Sequence, residues 1–151
     1  MDTSSTTRLS PEASVLNSVC RGARIGSESI ENLLTKTEHP QFRDDLRSQQ
    51  DQYETICRDA ANKLLELGTI PDPVGAGKKL SMKAALEMST MGNTSTSHLA
   101  EIMIRGSTMG ITNMTKILNG YQNPNPDTAE LVQRLITVEQ QNIDRLKVYL
   151  Q

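Results

Sequence analysis

Arg21-Gly22-Ala23-Arg24-Ile25-Gly26-Ser27-Glu28-Ser29-Ile30-Glu31-Asn32-Leu33-Leu34 and Arg105-Gly106-Ser107-Thr108-Met109-Gly110-Ile111-Thr112-Asn113-Met114-Thr115-Lys116-Ile117-Leu118 are two readings of one pattern, 84 positions apart throughout. The Arg, both Gly and the final Leu are identical. Ala23/Ser107, Ile25/Met109, Ile30/Met114 and Leu33/Ile117 are conservative pairs. Apolar residues recur every three or four positions in each stretch, the period of one helical face. Pro40 and Pro124 keep the same offset, so each stretch leads into a Pro-containing turn and a further apolar-periodic segment. The pattern predicts a duplicated helical hairpin.

Working outward, the first helix begins at Ser10-Pro11-Glu12, where Ser caps, Pro suits the first helical position and Glu favours the positive helix end. Its stripe is Leu16, Val19, Ala23, Gly26, Ile30 and Leu33, and it is expected to span about 11–37, since Pro40 disfavours helical geometry just before it. A second helix is expected over 40–67, with stripe Phe42, Leu46, Gln49, Tyr53, Ile56, Ala60, Leu64 and Leu67, ended by Gly68. The short turn makes this pair an antiparallel hairpin. A third long helix is expected over 95–119, with stripe Leu99, Met103, Gly106, Gly110, Met114 and Ile117. A fourth, over 126–150, starts after a cap at Asn125 and carries Leu131, Leu135, Val138, Asn142, Leu146 and Tyr149. Between the hairpins lie residues 68–94, Pro/Gly-rich at first, with a short helix expected from Lys78 to Met91. Roughly 25 residues are far more than antiparallel neighbours need, and suit a crossover along the bundle. The fold class is all-α: an antiparallel four-helix bundle in one domain over 10–151, preceded by a disordered polar lead at 1–9. Up-down-up-down is the other topology.

Composition agrees. The 151 residues suffice for one buried core, 36% are hydrophobic, and only 3% are aromatic, so Leu, Ile and seven Met fill the interior. Net charge is -2 with no long run of one sign, which gives no footprint for nucleic acid or an anionic membrane. No basic region followed by an apolar stretch opens the chain, and no apolar run approaches the ~20 residues that span a bilayer, so a cytoplasmic protein is expected. Gly22, Gly26, Gly106 and Gly110 cost ~1 kcal/mol each inside helices. They are expected to let the first and third long helices approach closely, with Gly26→Leu or Gly110→Leu costing several kcal/mol.

Met103 to Ile111 and Glu139-Gln140-Gln141-Asn142-Ile143 resemble an uncharacterised family of small ferritin-like domains from Gram-positive bacteria, and residues 10–151 are similar to a ferritin-like bundle. The resemblance implies a fold and little about activity. Di-iron proteins of this type use one Glu from each of two helices and Glu-x-x-His from the other two. This chain has no Glu-x-x-His. Its nearest approach is Glu139-x-x-Asn142, opposite Gln49, Gln50 and Tyr53, while Gly106 and Ser107 stand where related domains carry a His pair. No metal centre and no cofactor are expected. Gln49, Tyr53, Glu139 and Asn142 are read as a polar patch whose members hydrogen-bond one another.

His98 and Glu101, three apart, read as an exposed pair rather than a cation site, and His39 as an exposed turn residue. Met82, Met88, Met91, Met103, Met109 and Met114 suit Cu(I) as soft ligands, but also serve as pliable filler. Gly75 to Ser81 lacks the spacing of a phosphate loop and reads as plain loop. Two His and no Gly-x-Ser-x-Gly give no nucleophilic triad. Cys20 and Cys57 lie equally far from the centre of the hairpin turn, hence at one height on neighbouring helices. They are either two small buried residues or a redox-sensitive pair. The leading expectation is a non-enzymatic structural or protein-interaction module, partnered by a second copy of itself or by an unidentified protein. A metal-binding stress or storage protein and a thiol redox sensor are the alternatives.

Overall fold

A computed structural model describes residues 10–71 and 76–151; the expected polar lead at 1–9 and residues 72–75 lie outside it. Five α-helices account for the described chain: α1 (Pro11–Leu34), α2 (Pro40–Glu66), α3 (Ala76–Thr90), α4 (Thr96–Gly120) and α5 (Pro126–Leu146), followed by a 3-10 turn at Lys147–Tyr149. No strand occurs among the described residues. None of these helices is long and apolar enough to cross a membrane.

The helix starts follow from their caps. Ser10 Oγ accepts from Ala13 N at 3.1 Å, His39 Nδ1 from Phe42 N at 3.2 Å, Ser95 Oγ from His98 N at 3.2 Å, and Asn125 Oδ1 from Asp127 N at 3.0 Å. Each satisfies a backbone donor that the first turn leaves free.

The ends depart from the sequence reading in two places. α1 stops at Leu34 rather than near 37, because Arg43 Nη1 donates to the carbonyls of Leu34 (2.5 Å) and Thr37 (2.6 Å) and so serves acceptors that another helical turn would have used. α5 stops at Leu146 and tightens into the 3-10 turn. There the Tyr149 hydroxyl donates to Asp45 Oδ2 at 2.5 Å, and its ring packs edge-on against Phe42, centroids 5.0 Å apart. α3 begins at Ala76, two residues before the Lys78 start expected for the short helix, so the plain-loop reading of Gly75 to Ser81 gives way to helix from Ala76 onward.

Packing is closest within the sequential pairs α1/α2 and α4/α5. α5 also packs on α2 and α1, α4 on α1, and α3 lies lightly against α1 and α4. Polar contacts fix the directions. Thr128 Oγ1 donates to Glu12 Oε1 (2.9 Å) and Lys63 pairs with Asp127 (3.1 Å), which gathers the starts of α1 and α5 with the end of α2. At the other end, Tyr149 meets Asp45, and Gln151 N donates to Ser97 Oγ at 3.0 Å. α4 therefore starts where α2 starts. The core is aliphatic: Leu16, Val19, Ile30, Leu33, Leu46, Leu64, Leu99 and Leu146 are fully buried around Phe42.

The glycines do not bring α1 and α4 together as expected. A Cβ at Gly26 would lie 2.7 Å from the ring of Tyr53, on α2. One at Gly110 would collide with the Glu139 carboxylate, on α5. Gly22 meets only ordinary neighbours, Leu135 at 3.5 Å and Met114 at 3.7 Å, and Gly106 faces open space. On α4 it is Ser107, not Gly106, that is buried. Two of the four glycines thus make room for a neighbour's side chain rather than for a neighbour's backbone.

Candidate functional site

Two clusters hold the chemistry, and Tyr53 borders both. The first lies between α1 and α2. Cys20 and Cys57 are buried, both free, with their sulfurs 2.6 Å apart. Equal distance from the hairpin turn puts them level; the stripe Leu16, Val19, Ala23 on α1 and Tyr53, Ile56, Ala60 on α2 turns both inward. Arg24, one helical turn beyond Cys20, sets its Nη2 3.8 Å from Cys57 Sγ. The hydrogen bond from Cys20 and the Arg24 guanidinium hold the Cys57 thiol below the ordinary thiol range, against an opposing push from burial. Cys20 is pushed the other way by its bond to Cys57 and by burial. The Arg24 contact makes Cys57 the more acidic of the two thiols.

An open cleft of about 510 Å³ runs along this interface, lined by Cys57 but not by Cys20. Arg24 and Arg58 border it, as do the carboxylates of Glu28, Glu31 and Glu54. Gln50, expected at the level of the polar core, instead bonds across this groove to Glu31 Oε2 at 2.8 Å.

The second cluster is the polar core. Tyr53 donates a short hydrogen bond to Glu139 Oε1, Ser107 Oγ donates to the same oxygen at 3.4 Å, and Asn142 Nδ2 donates to the Tyr53 hydroxyl at 3.3 Å. Burial pushes the Glu139 carboxyl up to about 7, although the bonds from Tyr53 and Ser107 pull it down. Burial and the Glu139 charge push Tyr53 up. Gln49 is fully buried in α2, yet neither polar atom of its amide has a partner among the described residues. The network thus joins three of the four expected residues, adds Ser107, and leaves Gln49 outside.

A paired-metal centre does not fit these donors. Glu139 is the single buried carboxylate among the described residues, and no three His, Cys, Asp or Glu side chains there gather closely enough to hold an ion. The remaining candidates gather no third donor among the described residues. His98 Nδ1 lies 3.9 Å from Glu101 Oε2 as the expected pair, while its Nε2 sits 2.6 Å from the Ser89 carbonyl and Glu101 also pairs with Arg105. His39 is exposed and caps α2. Met103 and Met114 are buried while Met88, Met91 and Met109 are exposed, so the thioethers share no site.

Sequence reasoning missed Arg24 and Ser107. Spacing alone points to Arg24, since residues four apart on a helix are neighbours and Cys20 is four before it. For Ser107 the apolar pattern is silent, but the 84-residue offset pairs it with Ala23, which lies on the buried stripe of α1.

No protein-family model matches the chain, and no curated protein or solved structure matches it significantly.

Proposed function

We propose that this chain is a redox-responsive structural or protein-interaction module in which Cys20 and Cys57 form a reversible dithiol–disulfide couple. The observation that carries the reading is the 2.6 Å approach of two buried sulfurs on adjacent helices. A disulfide closes at about 2.05 Å, so little backbone movement separates the two states. In a cytoplasmic setting, which the sequence leads us to expect, such a bond is transient and signals redox state rather than holding a secreted scaffold together. The Arg24 contact supports the same view, because reactive cysteines sit beside cations while inert buried ones do not.

We further infer that the four long helices form an antiparallel four-helix bundle of ferritin-like topology, without a metal centre, built from a duplicated hairpin. The common starting end of α2 and α4 supports a one-crossover arrangement, and the 84-residue offset supports duplication. The metal-storage alternative has no donor set behind it among the described residues.

Treatment of the reduced native protein with diamide tests the couple. Loss of both thiols, with a Cys20–Cys57 link in a non-reducing peptide map, is the expected result. Two free thiols after oxidation would end the proposal.

A further inference from the structure

We propose that Cys57 is the attacking thiolate of the pair, that Cys20 resolves it, and that the oxidant is a small uncharged hydroperoxide entering the cleft between α1 and α2. This rests on the dithiol–disulfide reading above. The pair is asymmetric in its access to the cleft and in its contact with Arg24. Cys57 lines the cleft and Cys20 does not. Arg24 Nη2 lies 3.8 Å from Cys57 Sγ and offsets negative charge there. Cys20 stands behind, its sulfur 2.6 Å from Cys57 and away from the opening, where a resolving thiol belongs.

The oxidant class follows from access and charge. Cys57 is only 9% exposed, so its sulfur admits a small electrophile more readily than a disulfide, which must line up three sulfurs with bulk on both sides. Along the approach three carboxylates, Glu28, Glu31 and Glu54, outnumber two guanidiniums, Arg24 and Arg58, a formal excess of one negative charge, and glutathione disulfide carries net negative charge of its own. Like charges repel along that path, whereas hydrogen peroxide carries no charge to repel.

The chemistry closes with no other reactant. The Cys57 thiolate attacks one peroxide oxygen; the S–O bond forms, the O–O bond breaks, and hydroxide leaves and takes up a proton as water. Sulfur loses two electrons and the peroxide gains them. The Cys20 thiol then attacks the sulfenic sulfur; the S–S bond forms, the S–O bond breaks, and the departing hydroxyl leaves with the Cys20 proton as a second water. Two thiols and one peroxide give one disulfide and two waters. Arg24 is a positioning residue, acting through the Cys57 thiolate.

The test exposes the reduced full-length chain to hydrogen peroxide, diamide or glutathione disulfide in parallel, followed by intact mass and thiol counting. The wild type is expected to lose two hydrogens with peroxide. Cys20→Ser is expected to gain one oxygen at Cys57, trapped by dimedone. Cys57→Ser is expected to keep its Cys20 thiol under the same exposure. Arg24→Gln is expected to slow the peroxide reaction about tenfold and move its pH profile upward, with Arg24→Lys recovering part of the rate. Far-UV circular dichroism of each variant confirms that it is folded. A disulfide formed by diamide but not by peroxide overturns this inference and leaves the couple standing. Oxidation of Cys20 in Cys57→Ser as fast as Cys57 in Cys20→Ser overturns the assignment of roles, and faster reaction with glutathione disulfide overturns the oxidant class. No disulfide with any of the three overturns the couple itself.

Discussion

At Gly26 the first hairpin opens room for an aromatic ring, and at Gly110, its counterpart 84 positions on, the second opens room for a carboxylate. The two hairpins thus share a backbone device and use it for different chemistry. Moving Cys20 and Cys57 forward by the same offset gives Ile104 and Gln141, and moving Glu139 back gives Thr55. Neither cluster has a twin in the other hairpin. What repeats is helix length, turn and the space beside a glycine; what does not repeat is the ionisable or oxidisable group placed there.

The largest effect that separates the hairpins should be covalent. A Cys20–Cys57 bond spans 37 positions and is expected to stabilise the fold by about 4 kcal/mol on loop-entropy grounds. Urea unfolding of the oxidised and reduced forms measures it. Equal midpoints would show that the bond strains the native state as much as it restrains the unfolded one.

The second hairpin should instead respond to protons. Glu139 has a folded value of about 7 against an ordinary 4.5, so the native state holds its proton more tightly than the unfolded chain does. The resulting stability is fully present below 4.5 and is lost as pH rises through about 7, a change of about 3 kcal/mol. Glu139→Gln should flatten that slope in urea unfolding at pH 5 and pH 8. An unchanged slope would move the titration to another group.

Next in size are the glycines. Gly26→Leu must displace the buried ring of Tyr53 and is expected to cost about 2 kcal/mol or more. Gly110→Ala pushes a methyl into the Glu139 carboxylate, which Tyr53 and Ser107 hold, so a loss of about 1 kcal/mol is expected even after the better helix propensity of Ala. The smallest effect has the opposite sign: Gly106→Ala meets nothing within 4 Å and is expected to gain up to ~1 kcal/mol. Thermal denaturation of the three variants ranks them. Equal losses at 26, 106 and 110 would restore the close approach of α1 and α4 that the sequence suggested.

Helices, caps and turns were legible because each rests on local chemistry: Ser10-Pro11, Ser95 and Asn125-Pro126 announce themselves within a few residues. The equal heights of Cys20 and Cys57 were legible because two helices joined by a short turn have one register. Which glycine faces the interior was not. Carrying the stripe through Gly106 placed the wrong residue inside, since buried Ser107 is held by a hydrogen bond to Glu139 and leaves no trace in an apolar pattern. Nor was the reach of Arg43 to two carbonyls legible, and that reach decides where α1 stops. The asymmetry of the thiols depends on where a flexible Arg24 side chain settles, and spacing only nominates the residue.

Tyr53 lines the cleft beside Cys57 with its ring and bonds Glu139 with its hydroxyl, so one phenol borders both clusters. The chain has three tyrosines and no tryptophan to outshine them. A phenol bonded to a carboxylate passes its proton across when excited and loses its emission. Ultraviolet fluorescence should therefore be dim at Tyr53, as at Tyr149 on Asp45, in the native protein and brighten as the carboxylate lets go, an optical signal that needs no added dye.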